Sequence, residues 1–435
     1  MHLSILISLA LVCLLHHQGG LALSIPSQPL VTIAKRAAIP PSSDPWYTAP
    51  PGHENCSPGT VLRNRTATGL PAIAGSNCSA AYQLLYRTTA SQNNATFAVT
   101  TVFVPSSKSI NALLSYQVPY DSAYINSSPS YTLYDGVYKD IKIALGKGYF
   151  VTVPDYEGPL ASFGAGHMSG YATLDAVRAT LNAADLYGLP GSALYAMWGY
   201  SGGALATEWA AELQPMYAPD LSFAGAAMGG LTPNVTSVLL SVNKDITAGL
   251  APPAIIGLTS QWPAVQAYVF SKLVNNSAST YTASNFLAAE NMTLSETESN
   301  YAFQDITEYF VDGLEDITGP HVQAAINRDG IMGLSGGWPR MPVYAYKAVA
   351  DEISRVSDTD ALVKKYCGLG ANILYQRNLI GGHNAEETNG DAAATAFLDA
   401  VLTGKYAESY NTTGCTIQNV TQGDDVSPLR LARLR

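Results

Sequence analysis

The tightest constraint on this chain is a pentapeptide and its flanks. Residues 193–198 are a short apolar and aromatic run, read as a buried strand, and residues 202–216 are an Ala-rich stretch, read as a helix. Between them stands Gly199-Tyr200-Ser201-Gly202-Gly203. A chain that passes from strand to helix in that space turns sharply and pushes the residue at the tip out of the sheet edge. Small residues at Gly199 and Gly203 let strand and helix close on the turn. The helix N-terminus that follows favours negative charge nearby. Ser201 is therefore the candidate nucleophile; the competing reading is an ordinary glycine-rich strand-to-helix turn.

The flanking pattern supports a parallel sheet. Residues 96–104 and 112–117 read as strands, 137–147 as a helix ended by Gly148, and 149–154 as a strand. Residues 173–187 read as a helix with Asp175 in its first turn, and 221–228 as a strand. This alternation predicts a mostly parallel sheet with helices on both faces. From Leu231 to about Trp338 the pattern turns helical, with Pro, Gly and sequon breaks. Strands return at 341–349 and 372–376, and 392–402 closes as a helix. A helical insertion, about 231–338, thus interrupts an α/β core. Its natural place is a cap over the strand ends, where such sheets bind ligands.

The leader sets the compartment. Residues 3–15 are apolar but too short to span a bilayer. Gly19, Gly20, Ala22 and Ser24 follow, so residues 1–24 read as a secretory signal peptide. Lys35-Arg36 then precedes a Pro- and Ser-rich stretch, and residues 25–36 read as a propeptide ending at that dibasic pair. Residues 37–435 are left as the folded domain, with no further segment long and apolar enough for a transmembrane span. Cys13 leaves with the leader. An even set remains, Cys56, Cys78, Cys367 and Cys415, and in an exported chain it implies two disulfides. Three pairings are open; the local one, Cys56–Cys78 with Cys367–Cys415, is preferred. No C-x-x-C spacing or neighbouring His pair points to a metal. Sequons stand at Asn55, Asn64, Asn77, Asn94, Asn126, Asn234, Asn275, Asn291, Asn411 and Asn419, and glycans are expected on several. They would help wet a surface drawn from only 13% charged residues. The net charge of −10 cannot neutralise a run of phosphates, which excludes nucleic acid as a partner.

A serine hydroxyl becomes a nucleophile when a base takes its proton. With an elbow of this kind the chain order is nucleophile, acid, histidine. His2, His16 and His17 leave with the leader, and His53 and His167 precede Ser201. Of the two that follow, His321 lies inside the insertion with no strand before it. His383, in Gly381-Gly382-His383 after strand 372–376, is the candidate base. Asp351 follows strand 341–349 directly and is the candidate acid, holding the imidazole in one tautomer. Glu352 is adjacent, but successive side chains diverge and only one should reach. Asp358 and Asp360 fall at the start of a helix. Gly202 supplies one oxyanion N–H from the elbow. The second donor belongs to the loop Val118-Pro119-Tyr120-Asp121-Ser122, where spacing alone does not choose. No cofactor and no metal is needed for this chemistry.

Taken together, Gly199-Tyr200-Ser201-Gly202-Gly203-Ala204, Asp155-Tyr156-Glu157-Gly158, and Ser115-Tyr116-Gln117 followed by Asp121-Ser122 resemble the secretory lipase family of yeasts and moulds, the lipase A type. The resemblance covers most of the mature chain. It implies an α/β-hydrolase fold, with a mostly parallel central sheet and a large helical cap insertion. It implies Ser201, Asp351 and His383 as the triad. It places Gly202 and Asp121 at the oxyanion hole, Asp121 protonated if its side chain donates, and implies a disulfide between Cys367 and Cys415. The expected partner is an acyl ester, met at a lipid–water interface, and the expected location is extracellular. Triacylglycerol or a related ester is the first substrate reading. Removal of a small acyl group such as acetyl from a fungal secondary metabolite is the alternative. Runs 250–258 and 265–273 could line an acyl pocket or simply pack on a core. A non-catalytic binding glycoprotein on the same fold would have no use for Ser201, Asp351 and His383 together. No acidic or basic anchoring motif points to a peptidase. The oligomeric state is not legible.

Overall fold

The computed structural model describes residues 38–108, 110–275 and 279–423. By its contacts the chain divides at residue 36, and the described residues all belong to the unit 37–435. The readings of residues 1–36 as signal peptide and propeptide lie outside the described residues.

Ten strands among the described residues form one sheet: β1 (Val61–Thr66), β2 (Cys78–Thr89), β3 (Ala95–Pro105), β4 (Ala112–Gln117), β5 (Phe150–Pro154), β6 (Leu194–Tyr200), β7 (Gly225–Gly229), β8 (Val343–Ala348), β9 (Ile373–Asn378) and β10 (Cys415–Val420). Their order is β1-β2-β3-β5-β4-β6-β7-β8-β9-β10. The pairs β1–β2, β2–β3 and β3–β5 are antiparallel; from β5 to β10 every pair is parallel. The central strands β4, β5 and β7 are buried along their whole length. That is why they read as continuous apolar runs rather than alternating ones.

The helices that pack on this sheet include α1 (Lys139–Gly146), α2 (Gly166–Asn182) and α3 (Gly202–Tyr217). Between β7 and β8 the described residues hold no strand of the sheet. They form a helical cap containing α4 (Val235–Val242), α5 (Ala251–Ser260), α6 (Pro263–Ser271) and α7 (Leu294–Tyr301). The cap has its own apolar core, with Val242, Phe286, Tyr301, Ile306 and Tyr309 almost fully buried, separate from the core along the sheet. After β8 come α8 (Val356–Gly368), α9 (His383–Asn389) and α10 (Asp391–Leu402).

Two expectations are corrected. The helix expected over 173–187 is α2, which begins at Gly166 and ends at Asn182. Asp175 therefore sits in mid-helix, not in the first turn. It is buried, and it accepts from Thr88 Oγ1 at 2.7 Å, Tyr217 Oη at 2.6 Å and Arg178 at 2.8 Å. The second correction concerns cysteines. Cys367 and Cys415 are joined, with Cα atoms 5.9 Å apart, but Cys56 and Cys78 are free thiols. The reason is register. The amide of Gly59, three residues after Cys56, bonds to Arg87, which pairs with Phe97, whereas Cys78 pairs with Pro105. Eight positions along a strand at about 3.4 Å each put Gly59 roughly 27 Å from Cys78, and three residues of chain at about 3.5 Å each cannot bring Cys56 back within reach of a disulfide.

Candidate active site

β6 ends at Tyr200 and α3 begins at Gly202, so Ser201 alone makes the turn, with φ 53° and ψ −122°. A residue with a Cβ occupies that region only under constraint. Here the constraint is close packing. A Cβ on Gly199 would lie 2.2 Å from the Gly203 carbonyl oxygen, and one on Gly203 would lie 2.0 Å from that of Gln117 in β4. The Ser201 amide donates to the Gly229 carbonyl in β7 at 2.9 Å, which pins the tip between neighbouring strands.

The three residues expected to meet do meet. His383 Nε2 lies 2.8 Å from Ser201 Oγ, and its Nδ1 lies 2.7 Å from Asp351 Oδ2. Asp351 stands just after β8 and His383 opens α9 beyond β9, so adjacent parallel strands bring their carboxyl ends to one place. Asp351 Oδ1 accepts the amides of Ile353 at 3.0 Å and Ser354 at 2.8 Å. Burial pushes this carboxyl up. The hydrogen bond from His383 and the charge of Lys347 outweigh that push and hold it at about 2. His321 is in the cap, stacked on Tyr268 with ring centroids 4.4 Å apart. Asp358 lies in the first turn of α8 and Asp360 pairs with Arg377, as their place at a helix start suggested.

Two neighbours, Lys347 and Tyr200, went unread in the sequence, and a third, Glu352, was read as out of reach. Lys347 Nζ donates to Asp351 Oδ2 at 2.7 Å, with both side chains fully buried. Its signal was available: a lysine inside the otherwise apolar strand Val343–Ala348. Glu352 does reach the histidine, but at its backbone, where Oε2 accepts the His383 amide at 2.8 Å. Tyr200 Oη donates to the His383 carbonyl at 2.5 Å. Neither of these last two carries a sequence signal, because each contact depends on the fold of the β9–α9 loop.

On the other side of Ser201, Asp121 has its backbone in the left-handed region, φ 41°. Its carboxyl lies over Gly202, where a Cβ would come within 1.8 Å of Oδ1. That oxygen is buried with no hydrogen-bond partner among the described residues. Burial, with Glu298 adding to it, pushes the acid up to about 7. Gly202 is the first residue of α3, so its N–H has no intrahelical acceptor by position.

A cavity of about 50 Å³ opens at Ser201, and its apolar wall includes Phe163, Leu205, Val238, Leu250 and Ile353. A second cavity of about 60 Å³ adjoins it inside the cap, against Ile255, Leu258, Val265 and Ile317. Val235, Leu239 and Ala251 line both. Among the described residues no helix is long and apolar enough to cross a membrane.

Residues 134–409 match the family model described as secretory lipase. The trichothecene C-3 esterase of Fusarium sporotrichioides is 47% identical over 404 residues, covering 89% of this chain and 90% of that protein. Lipase A of Arthroderma benhamiae is 37% identical over 410 residues, covering 90% and 85%. Among solved structures, Candida antarctica lipase A in its closed state superposes with a TM-score of 0.78 at 28% identity, covering 88% of this chain and 91% of that one. Matches of this extent, on a sheet and cap of this order, place the chain in the secretory lipase family, as a carboxylic-ester hydrolase of the α/β-hydrolase fold.

Proposed function

We propose that this protein hydrolyses acyl esters through an acyl-enzyme on Ser201, and that the acyl group it accepts is short. The observation that carries the chemistry is the continuous hydrogen-bonded line from Ser201 Oγ through His383 to Asp351, at 2.8 and 2.7 Å. Ser201 Oγ attacks the ester carbonyl carbon while its proton passes to His383 Nε2. The tetrahedral oxyanion is held by the Gly202 N–H and by the acid form of Asp121. Asp351 steadies the imidazolium. Collapse breaks the C–O bond, and the His383 proton goes to the departing alkoxide, releasing the alcohol. Water then repeats the sequence on the acyl-enzyme, releasing the carboxylic acid and restoring Ser201.

Two substrate readings share this chemistry. Relatives named as lipases support triacylglycerol or a related ester, met at a lipid–water interface. The size of the cavity and the relative named as a trichothecene C-3 esterase support a small acyl group carried by a compact apolar alcohol, as in a fungal secondary metabolite. A cavity of 50 Å³ is small beside the roughly 150 Å³ that takes a benzene ring, which favours the second. A series of p-nitrophenyl esters and an emulsified long-chain triglyceride, assayed with purified protein, decide it. Preference for acetate or butyrate with no triglyceride turnover supports the short-acyl reading; efficient triglyceride hydrolysis overturns it.

Export through the signal peptide 1–24, with trimming at Lys35-Arg36, completes the proposal. Eight sequon asparagines are exposed, while Asn126 and Asn234 are only half so. Asn126 also spends its Nδ2 on Tyr124 Oη at 2.7 Å. Glycans are therefore assigned first to the exposed eight.

A further inference from the structure

The run Asp155-Tyr156-Glu157-Gly158 has no part in the reaction as written, and neither Tyr156 nor Glu157 lines the cavity at Ser201. Both are buried against the loop that carries Asp121. Tyr156 Oη donates to the Val118 carbonyl at 2.8 Å. The Glu157 amide donates to Tyr120 Oη at 2.7 Å. The Tyr120 and Tyr156 rings pack at a tilt of 57° with centroids 4.9 Å apart. Both oxygens of the fully buried Glu157 carboxyl are without a hydrogen-bond partner among the described residues, and the charges of Asp121 and Asp155 act on the group. Hydrogen bonds from this tetrapeptide thus fall at Val118 and Tyr120, just before the left-handed Asp121. That backbone conformation is costly for a residue with a Cβ and persists where the surroundings over-determine it.

We propose that Tyr156 and Glu157 are positioning residues for the oxyanion donor: they hold the Val118–Ser122 loop so that the Asp121 carboxyl stays over Gly202. The inference rests on the reading of Asp121 as that donor. Asp155 has a related but separate task. Its Oδ1 accepts the Ser130 amide at 2.8 Å and its backbone amide donates to the Val99 carbonyl at 2.8 Å, which anchors the run to β3.

A positioning role acts on the transition state and not on ground-state binding, so its mark is a fall in kcat with KM kept. Tyr156→Phe removes one hydroxyl and leaves the ring pair. Its kcat on p-nitrophenyl acetate is expected to fall about tenfold with KM within about twofold, a donor made loose and not lost. Glu157→Leu should fall similarly, and Glu157→Gln, which keeps a polar group in the same buried place without the acid, should recover most of that loss. A core residue that merely packs would not separate leucine from glutamine in this way. Circular dichroism and melting curves keep folding out of the comparison. The decisive arm is the cycle with Asp121→Ala. If Tyr156 works through Asp121, Tyr156→Phe costs little further once Asp121 is gone. If Asp121→Ala itself leaves kcat intact, the donor reading fails. If Asp121→Ala is crippled while Tyr156→Phe and Glu157→Leu keep the wild-type kcat, or if their losses simply add to it, the positioning inference alone fails.

Discussion

Lys347 and His383 donate to the same oxygen of Asp351, Nζ and Nδ1 each 2.7 Å from Oδ2. The ammonium also reaches the Leu231 carbonyl at 2.8 Å, so it ties the acid to the start of the cap. Burial pushes Lys347 down and Asp351 opposes that push. The acid is held at about 2, below its ordinary value. A carboxyl depressed in the fold contributes stability that is present above its unfolded pKa, near 4, and is lost as pH falls toward the folded value. Lys347→Met should leave Asp351 buried with one donor fewer. Breaking such a pair by removing one partner costs about 3 kcal/mol or more. Urea unfolding at pH 7 should show that loss, and the acid limb of the kcat/KM profile should move to higher pH. A midpoint and an acid limb both equal to the wild type would remove Lys347 from the account.

Ser201→Ala and His383→Ala each break the line at one of its first two members. Residues that act as a unit cost about the same singly as together. Each variant is expected to lose at least ~10⁴-fold in kcat, and the double variant little more. Melting temperatures should stay close to the wild type for Ser201→Ala, since alanine relieves nothing at φ 53° and removes one hydrogen bond. Burst kinetics with a p-nitrophenyl ester read the nucleophile directly. A stoichiometric burst from Ser201→Ala would sink the assignment.

Asp121 makes the alkaline side of the profile unusual. Pushed up to about 7 by burial first and Glu298 second, it donates only below that pH. Activity should therefore fall on the alkaline side as Asp121 ionises. Asp121→Asn presents an N–H donor that does not titrate, so its activity, lower at the optimum, should persist on the alkaline side. The linkage runs the other way from Asp351. An acid whose folded pKa is raised supplies stability below its unfolded value and loses it as pH climbs through about 7. Asp121→Asn should therefore flatten the fall in stability between about pH 4 and 7. An alkaline limb unchanged in the variant would show that some other group titrates there.

The parallel core was legible because buried central strands announce themselves as apolar runs. Residues 112–117 coincide with β4, and the elbow stands where the 193–198 and 202–216 runs put it. That Ser201, His383 and Asp351 meet followed from chain order and the small number of histidines. What escaped has physical reasons. β1 is half-exposed and carries two arginines, and β10 is an exposed edge strand, so neither shows a clean alternation. β2 runs antiparallel beside β3 through a turn at Asn93, and Arg87 and Gln83 blur its pattern. The start of α2 carries Gly166 and Gly170, poor helix formers by propensity, yet α2 passes over Trp209 so closely that a Cβ at Gly166 would lie 2.0 Å from its ring. Lys347 and Glu352 were visible as letters but not as partners, since each acts through a loop whose shape local pattern does not encode.

The cysteine correction predicts a thiol count. Cys367–Cys415 closes a sequence separation of 48 that contains His383, and a loop of that length is worth about 4 kcal/mol in the chain-entropy account. It also ties the end of α8 to β10 at the sheet edge. In denaturant without reductant, the mature chain should show reactive thiols at Cys56 and Cys78 alone. Natively, Cys56 should react well before the buried Cys78. Cys367→Ser with Cys415→Ser should lower the urea midpoint while kcat at 25 °C stays near the wild type, because Asp351, Glu352 and Tyr200 hold His383 independently of it. Peptide mapping that found a Cys56–Cys78 bridge would overturn the register argument.

Chain length is where sequence, cavity and chemistry meet in one measurement. Val235 and Leu239 on α4 and Ala251 on α5 stand between the cavity at Ser201 and its neighbour in the cap. As placed, they limit the room at Ser201 to a cavity of about 50 Å³. Leu239→Ala should open one cavity into the other. Its lost packing costs ~2 kcal/mol, the low end for a leucine already beside empty space. The added room should let two further methylenes be buried at about 0.8 kcal/mol each, so kcat/KM for the octanoyl ester should rise roughly tenfold while acetyl turnover holds or falls. Leu239→Phe should do the opposite, narrowing the series toward acetate. A p-nitrophenyl ester series from two to twelve carbons compares all three proteins. Identical profiles would mean that the acyl chain leaves Ser201 by another route and that the wall between the two cavities does not select it.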